Sequence, residues 1–402
     1  MASTLVVPVA RIGSVKVHSN AAMLCVANVL GYQVVTGLIE DQNGVIVRQF
    51  IKGKVDEKGK KFPVIIATDG SACFEDKVGT KTPVPIEDVE TIKFSFQHKE
   101  GDLAVYFPAD TILTDEWAAK FNVKSLLKGG NRVGKIALRG EPSFGLVVKL
   151  PEGVDWKEGD NVASYFGCLK YEAPIKTSAG DVSPRDADID PYFDKFTDIQ
   201  NGRIFVNVFS PGEAVVASEK LHGTCTRIGW VNGHQVAGSM ELRRKPPEKD
   251  DYSKSTYWFP WSIPGVATLL GELSKTNKVV ELFGEVYGNS IQKGFKYDAG
   301  GGIGFRAFGL KINDRFLNWQ DFEDACAKFA VPMVPVLYKG PFDMTKIYAL
   351  AEGSTTIGEA PLMEGVVVVP EHERVDPKVG RAILKYVSIA YSLSKHPESK
   401  DV

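Results

Sequence analysis

The stretch Ser218-Glu219-Lys220-Leu221-His222-Gly223-Thr224-Cys225 decides how the chain is read. It lies between two segments of strand character. Upstream, residues 213–220 alternate toward a strand. Downstream, 224–231 and 234–240 read as strands joined by Asn232-Gly233, the strongest short hairpin signal. Lys220 therefore stands where one strand ends and a hairpin is about to begin. Taken alone that says little, because most lysines are solvated and most glycines only turn the chain.

Four later strings change the weight of the first. They are Val280-Glu281-Leu282-Phe283-Gly284-Glu285, Phe305-Arg306-Ala307-Phe308, Met363-Glu364-Gly365-Val366-Val367 and Ile383-Leu384-Lys385-Tyr386-Val387-Ser388. Each is a β-like run that opens or ends on a charged or aromatic residue. Alternation along strands would let these side chains face one cleft. The group then offers two lysines, three carboxylates and an aromatic platform, with Phe305 and Phe308 equally placed by sequence.

The remaining features bound the answer. At ~100–200 residues per domain, 402 residues predict two or three domains. With 44% hydrophobic and 24% charged residues, disorder, collagen and coiled coil are excluded as the main architecture. A net charge of −2 argues against a protein coated in basic charge, though not against a local basic groove. No apolar run approaches the ~20 residues of a membrane-spanning helix. The opening MASTLVVPVARIG is no convincing signal peptide, so no membrane partner is expected. The five cysteines form no CxxC pair and read as reduced thiols of a cytoplasmic protein. The six histidines show no zinc spacing.

The chain divides by composition. Residues 1–176 read as mostly β, with strands at 32–39, 45–51, 61–67, 103–107, 133–138 and 144–150, one helix at 115–121, and a lysine-rich hairpin tip at 52–61. Residues 177–200 carry six aspartates with Ser, Gly and two prolines, and read as an exposed acidic linker. Their spacing does not match a calcium loop. Residues 201–402 mix strands with helices at 264–275, 319–329 and 343–351.

Taken in order, the strings resemble those of the covalent nucleotidyltransferase superfamily: ATP-dependent RNA and DNA ligases and messenger-RNA capping enzymes. There, five motifs surround a nucleotide, and the first motif's lysine takes AMP or GMP as a phosphoramide. Lys-x-His-Gly is similar to the RNA ligase branch, with His222 where DNA ligases and capping enzymes usually carry Asp and with Glu219 before the lysine. His18-Ser19-Asn20-Ala21, Val105-Tyr106-Phe107-Pro108, Leu138-Arg139-Gly140 with Gly145-Leu146-Val147, and Tyr171-Glu172 are similar to RNA ligases that place an OB-type barrel first. The resemblance implies an N-terminal all-β OB-like barrel, followed by an α+β nucleotidyltransferase domain with antiparallel sheets. Residues 39–100 fit least and read as an insertion.

The resemblance also implies roles. Lys220 attacks the α-phosphate of ATP, with Glu219, His222 and Gly223 around it. Glu219 lies near adenine, and His222 makes a catalytic contact. Phe308 stacks on the base, Glu285 lies near the ribose, and Lys385 touches the α-phosphate. Glu364, with Glu285, serves Mg²⁺ or Mn²⁺. Arg243 or Arg244 contacts phosphate or the RNA end; a planar guanidinium suits either. Arg227 is a weaker candidate. Cys225, Gly309 and Val387 depart from the usual pattern. The physics is consistent: a free lysine with pKa ~10.4 is no nucleophile at neutral pH, and a nearby cation would lower that pKa. The expected protein is a monomeric ATP-dependent RNA ligase acting on RNA or an RNA-containing nicked duplex. A capping guanylyltransferase, a DNA ligase and an inactive nucleic-acid-binding relative are the alternatives.

Overall fold

The computed structural model describes residues 5–57, 59–76, 79–171, 190–193, 195–196, 198–247, 251–288, 291, 297, 302–358 and 362–394. The chain forms two compact units, Met1–Glu172 and Ala173–Val402.

The first unit is built on one antiparallel sheet. Its strands are β1 (Val9–Val17), β2 (Leu24–Val29), β3 (Tyr32–Glu40), β4 (Ile46–Val55), β5 (Lys61–Pro63), β6 (Val89–Phe96), β7 (Leu103–Phe107) and β8 (Leu146–Lys149). They lie in the order β8-β7-β1-β2-β3-β6-β4-β5. Period-2 patterning sets the faces: in β3 alternate residues from Tyr32 to Leu38 are buried. Cys25, Leu38, Ile46, Phe50 and Phe94 make one core cluster. Val7, Val105, Phe107 and Phe166 anchor another, against which Trp117 of helix α1 (Asp115–Lys120) packs. The α1 N-terminus is capped by the Thr114 hydroxyl, which accepts from Trp117 N at 3.3 Å.

Three expectations need correction here. No ladder among the described residues joins the β8 and β5 edges, so the sheet is open rather than closed into a barrel. The β5 edge has only three residues, and the chain then leaves it for a separate three-stranded sheet at Ile65–Ile66, Ala72–Glu75 and Lys81–Val84. Residues 39–100 are not set apart, because β4, β5 and β6 continue the main sheet through β3. The lysine-rich tip is shorter than 52–61: β4 runs to Val55, and the turn is closed by Asp56 Oδ1 accepting from Lys60 N at 2.9 Å.

One buried histidine gives this unit a pH dependence. His98 is 1% exposed, and its Nε2 has no hydrogen-bond partner among the described residues. Burial, reinforced by the Lys149 charge, pushes its imidazole down to about 4. The unfolded chain therefore binds a proton at a higher pH than the folded one. The stability is fully present above about pH 6.5 and is lost as pH falls toward 4. His98→Leu should flatten that slope by up to about 3 kcal/mol between those limits, read by urea melts at both pH values.

The second unit holds two five-stranded sheets. Its elements are β9 (Gln200–Asn201), β10 (Ala214–Lys220), β11 (Thr224–Val231), β12 (His234–Gly238), α2 (Pro264–Ser274), β13 (Val279–Gly288), β14 (Ile303–Ile312), β15 (Arg315–Phe316), α3 (Trp319–Lys328), β16 (Val336–Pro341), α4 (Met344–Ala351), β17 (Gly365–Pro370), β18 (Leu384–Val387) and α5 (Ile389–Leu393). One sheet has the order β9-β18-β17-β10-β16, antiparallel except for β9 with β18. The other has the order β12-β11-β13-β14-β15 and is antiparallel throughout. Their shared core includes Val216, Leu221, Ile228 and Leu282, with Leu269 and Leu270 of α2 and Phe322 and Cys326 of α3. Asn232 and Gly233 both take positive φ (49° and 83°), as the tight β11–β12 turn requires.

The proposed linker is also corrected in part. Residues 177–189, 194 and 197 lie outside the described residues. Phe193 and Phe196 are buried in the second unit, and Arg243 pairs with Asp190 at 3.7 Å. Phe193, Phe196 and the partly buried Ile199 recur every third residue, and burial of that stripe draws the described residues between 190 and 200 into the fold despite Asp190 and Asp198.

Candidate active site

The strand register brings the two lysines together. Ser218 pairs with Val367, and Val367 with Lys385; Lys220 pairs with Gly365, and Gly365 with Val387. Residues two apart share a face, so Lys220 and Lys385 stand on one face of this sheet. The intervening row, Glu219, Val366 and Tyr386, turns to the other face, each at most 1% exposed. There the Glu219 carboxylate accepts from the Thr355 hydroxyl, from Thr356 N at 3.0 Å and from Thr356 Oγ1 at 2.7 Å. Its side chain braces the 355–356 loop, although Glu219 also lines the cleft described below.

Two glycines permit the approach. Gly365 has φ 148°, and a Cβ there would meet Tyr386 O at 2.2 Å. That backbone lets Glu364, just before β17, reach Lys220. Gly223 carries the chain from β10 in the first sheet to β11 in the second; a Cβ there would meet Val286 O at 2.3 Å.

The second sheet supplies the opposite wall. Glu285 lies across from Cys225 on β11 and Arg306 on β14. The β13–β14 register slips between Phe283↔Gly309 and Gly284↔Ala307, which leaves Phe308 as the extra residue of a bulge. Phe308 lines the cleft and packs on Phe196 at 5.2 Å, while Phe305 is buried beneath Gly284. The structure thus separates two phenylalanines that the sequence left equivalent.

The result is one cleft of about 550 Å³. Lys220, His222, Gly223, Glu285, Phe308, Glu364 and Lys385 all line it. Glu364 is 4% exposed. One of its carboxylate oxygens pairs with Lys220 Nζ, and the other lies 3.5 Å from His222 Nδ1. Burial alone would raise the Glu364 carboxyl, but the Lys220 charge and hydrogen bonds from His222 and Lys220 hold it below the ordinary carboxylate range. Burial, and then the Glu285 charge, push the Cys225 thiol well up, so it is no rival nucleophile.

Arg243 and Arg244 are not among the cleft's lining residues, which on that side are Ser239, Met240, Glu241 and Leu242. Arg243 pairs with Asp190, and Arg244 stacks over Tyr257 at 5.2 Å. Arg227 is buried, donating to Ser239 O at 2.6 Å and Phe193 O at 3.2 Å. These contacts draw all three arginines into the packing around the β11–β12 hairpin.

Sequence reasoning missed Tyr391, whose hydroxyl lies 2.9 Å from His222 Nδ1, and Tyr297, whose hydroxyl accepts from His222 N at 2.7 Å. It also missed the apolar end formed by Phe196, Trp319, Val334 and Ile383. No motif marks these residues; only the fold brings them in. Among the described residues no three His, Cys, Asp or Glu side chains gather as a chelate. Glu285 and Glu364 are hard oxygen donors, and with waters and nucleotide phosphates they suit Mg²⁺ or Mn²⁺ better than an all-protein cage would. No helix among the described residues is long and apolar enough to cross a membrane.

Residues 213–387 match the RNA ligase family model. No curated protein matches the chain. Among solved structures, a variant of the Naegleria gruberi RNA ligase with AMP and Mn is 18% identical, with a TM-score of 0.59 over 96% of this chain and 97% of that one. Another variant of that ligase, with ATP and Mn, is 18% identical, with a TM-score of 0.58 over 96% and 98%. The same ligase with PPi is 19% identical, with a TM-score of 0.57 over 96% and 97%. The second unit therefore carries an RNA ligase domain match, and the chain as a whole has the fold of the Naegleria gruberi RNA ligase.

Proposed function

We propose that the protein is an ATP-dependent RNA ligase that joins 3′-OH and 5′-phosphate ends. The observation that carries this reading is the convergence of Lys220, His222, Glu285, Glu364, Lys385 and Phe308 on one cleft of nucleotide size. Phe308 and the apolar end receive the adenine. Once deprotonated, the Lys220 nitrogen attacks the α-phosphorus of ATP. The bond to the β-phosphate bridging oxygen breaks, and pyrophosphate leaves. Lys385, on the same face, neutralises charge on the α-phosphate as it builds. Glu364 and Glu285 would hold the divalent cation largely through water, and that cation when bound supplies further charge neutralisation. AMP then passes to an RNA 5′-phosphate, and attack by the 3′-OH releases it.

A basic segment of the first unit supports an RNA partner. Between Glu116 and Glu141 the chain carries Lys120, Lys124, Lys128, Arg132, Lys135 and Arg139 and no carboxylate. Lys120 lies 4.4 Å over Trp117, and Arg132 lies 3.9 Å over Tyr171. Cations interleaved with rings suit a phosphodiester chain and its bases. We assign the preferred substrate as a nick in a duplex with a 3′-OH RNA strand. Lys128→Ala with Lys135→Ala should weaken RNA binding about tenfold at physiological salt and lower the salt slope by about 1–2. AMP transfer to the protein should be unchanged.

The test is labelling with α-labelled ATP or GTP, followed by sealing of nicked duplexes. Label from ATP and sealing at an RNA 3′-OH support the reading. Label from GTP makes the protein a guanylyltransferase, and no label makes it an inactive relative.

A further inference from the structure

We infer that Tyr391 is a positioning residue for the nucleophile, acting through His222 and Glu364. The inference rests on the reading of Lys220 as nucleophile. Tyr391, His222 and Glu364 form a buried polar chain that ends on Lys220 in the cleft. The Tyr391 hydroxyl lies 2.9 Å from His222 Nδ1, that nitrogen lies 3.5 Å from one Glu364 oxygen, and the other Glu364 oxygen pairs with Lys220.

The chain has a direction. An ionised carboxylate can only accept, so its approach to the imidazole places a proton on His222 Nδ1. The tyrosine oxygen accepts that proton as well, which fixes the ring's rotation, while the carboxylate sets the tautomer. A carboxylate at position 222 would need no such partner, since its two oxygens are equivalent. An imidazole does, because its two nitrogens differ and a ring flip would turn Nδ1 away from the Glu364 carboxylate.

The surroundings of Tyr391 are built to hold it still. It sits in α5, immediately after the strand that carries Lys385. Ser388 caps this five-residue helix by accepting from Tyr391 N at 3.0 Å. Glu352 accepts from Ser388 Oγ at 2.9 Å and from Ile389 N at 2.7 Å, and Arg203 pairs with Glu352 at 3.4 Å. From the other side, the Tyr297 hydroxyl takes the His222 backbone N–H. Two tyrosines from separate parts of the chain thus grip one histidine, one by its backbone and one by its ring.

The test is a double-variant cycle on the full chain with a tautomer measurement beside it. Tyr391→Phe keeps the ring packing and removes only the hydroxyl. It should slow AMP–lysine formation about tenfold at saturating ATP, with the ATP KM within about twofold and the melting temperature nearly unchanged. In a His222→Ala background, Tyr391→Phe should cost nothing further. In ¹⁵N-imidazole spectra the His222 signal, identified by its loss in His222→Ala, should show protonated Nδ1 in the wild type and in Tyr391→Phe, with the Nδ1 resonance moved in Tyr391→Phe by loss of the hydroxyl contact. Multiplying losses in the double variant, a wild-type rate for Tyr391→Phe, or a protonated Nε2 alone in the wild type would overturn the inference. If the wild type takes no AMP, the functional reading falls, and the ¹⁵N spectra still decide whether the Tyr391 hydroxyl holds His222 Nδ1.

Discussion

Lys220→Ala is expected to abolish AMP transfer to the protein, with a loss of about 10⁴-fold or more, and with it all joining from a free 5′-phosphate. Cys225 lines the cleft, but burial and Glu285 keep its thiol protonated. The alanine variant also strips the buried Glu364 of its cation, so lost activity alone does not separate lost chemistry from lost fold. Lys220→Arg removes that ambiguity. It keeps a positive charge beside Glu364, but a guanidinium stays protonated and cannot attack phosphorus. Both variants should fold, take no label from α-labelled ATP, and still join RNA that already carries a 5′-adenylate, though more slowly. Labelling of either folded variant would remove Lys220 from its role.

Glu364→Ala and Lys385→Ala should each lower AMP transfer by about 10²–10³-fold with the fold retained. They act at opposite ends of the step. Glu364 holds the Lys220 nitrogen before attack, through the ion pair and through His222. Lys385 faces the same side of the sheet two strands away and meets the charge that builds on the α-phosphate. Glu364→Gln separates charge from hydrogen bonding, and it should recover little because the amide cannot pair with the ammonium. The Glu364 carboxylate is held low by the Lys220 charge, so acid should protonate it only below the ordinary carboxylate range. A folded variant of either residue that labels at the wild-type rate would refute that residue's assignment.

What was legible in the sequence was the strand pattern and the residues that chemistry demands. The hairpin at Asn232-Gly233, the β11 strand and the helix beginning at Pro264 follow from local turn and periodicity rules, and the structure has them. Placing Lys220, Glu364 and Lys385 in one cleft required only that their strands pair, which β10, β17 and β18 do. Other features depend on register, which a linear reading does not carry. The bulge that exposes Phe308 rather than Phe305 is one. The turning of the Glu219 side chain away from Lys220 needs no register, because neighbouring residues of a strand face opposite sides. The arginines after the hairpin, expected to contact phosphate or the RNA end, are engaged by Asp190 and Tyr257. Residues 190–200 looked like solvated linker because they close the 177–200 segment with its six aspartates, although burial follows the apolar stripe. Barrel closure was an expectation from resemblance, and the strand order leaves both sheet edges unjoined.

The central claim is that this cleft makes a covalent lysine–AMP, and peptide mapping by mass spectrometry tests it most directly. The full chain is incubated with ATP and Mg²⁺, digested, and searched for peptides heavier by one AMP. The account predicts a single acid-labile adduct on the peptide containing Lys220, formed with ATP and reversed by pyrophosphate. An adduct on another residue, or none on a folded and metal-supplied protein, would contradict it.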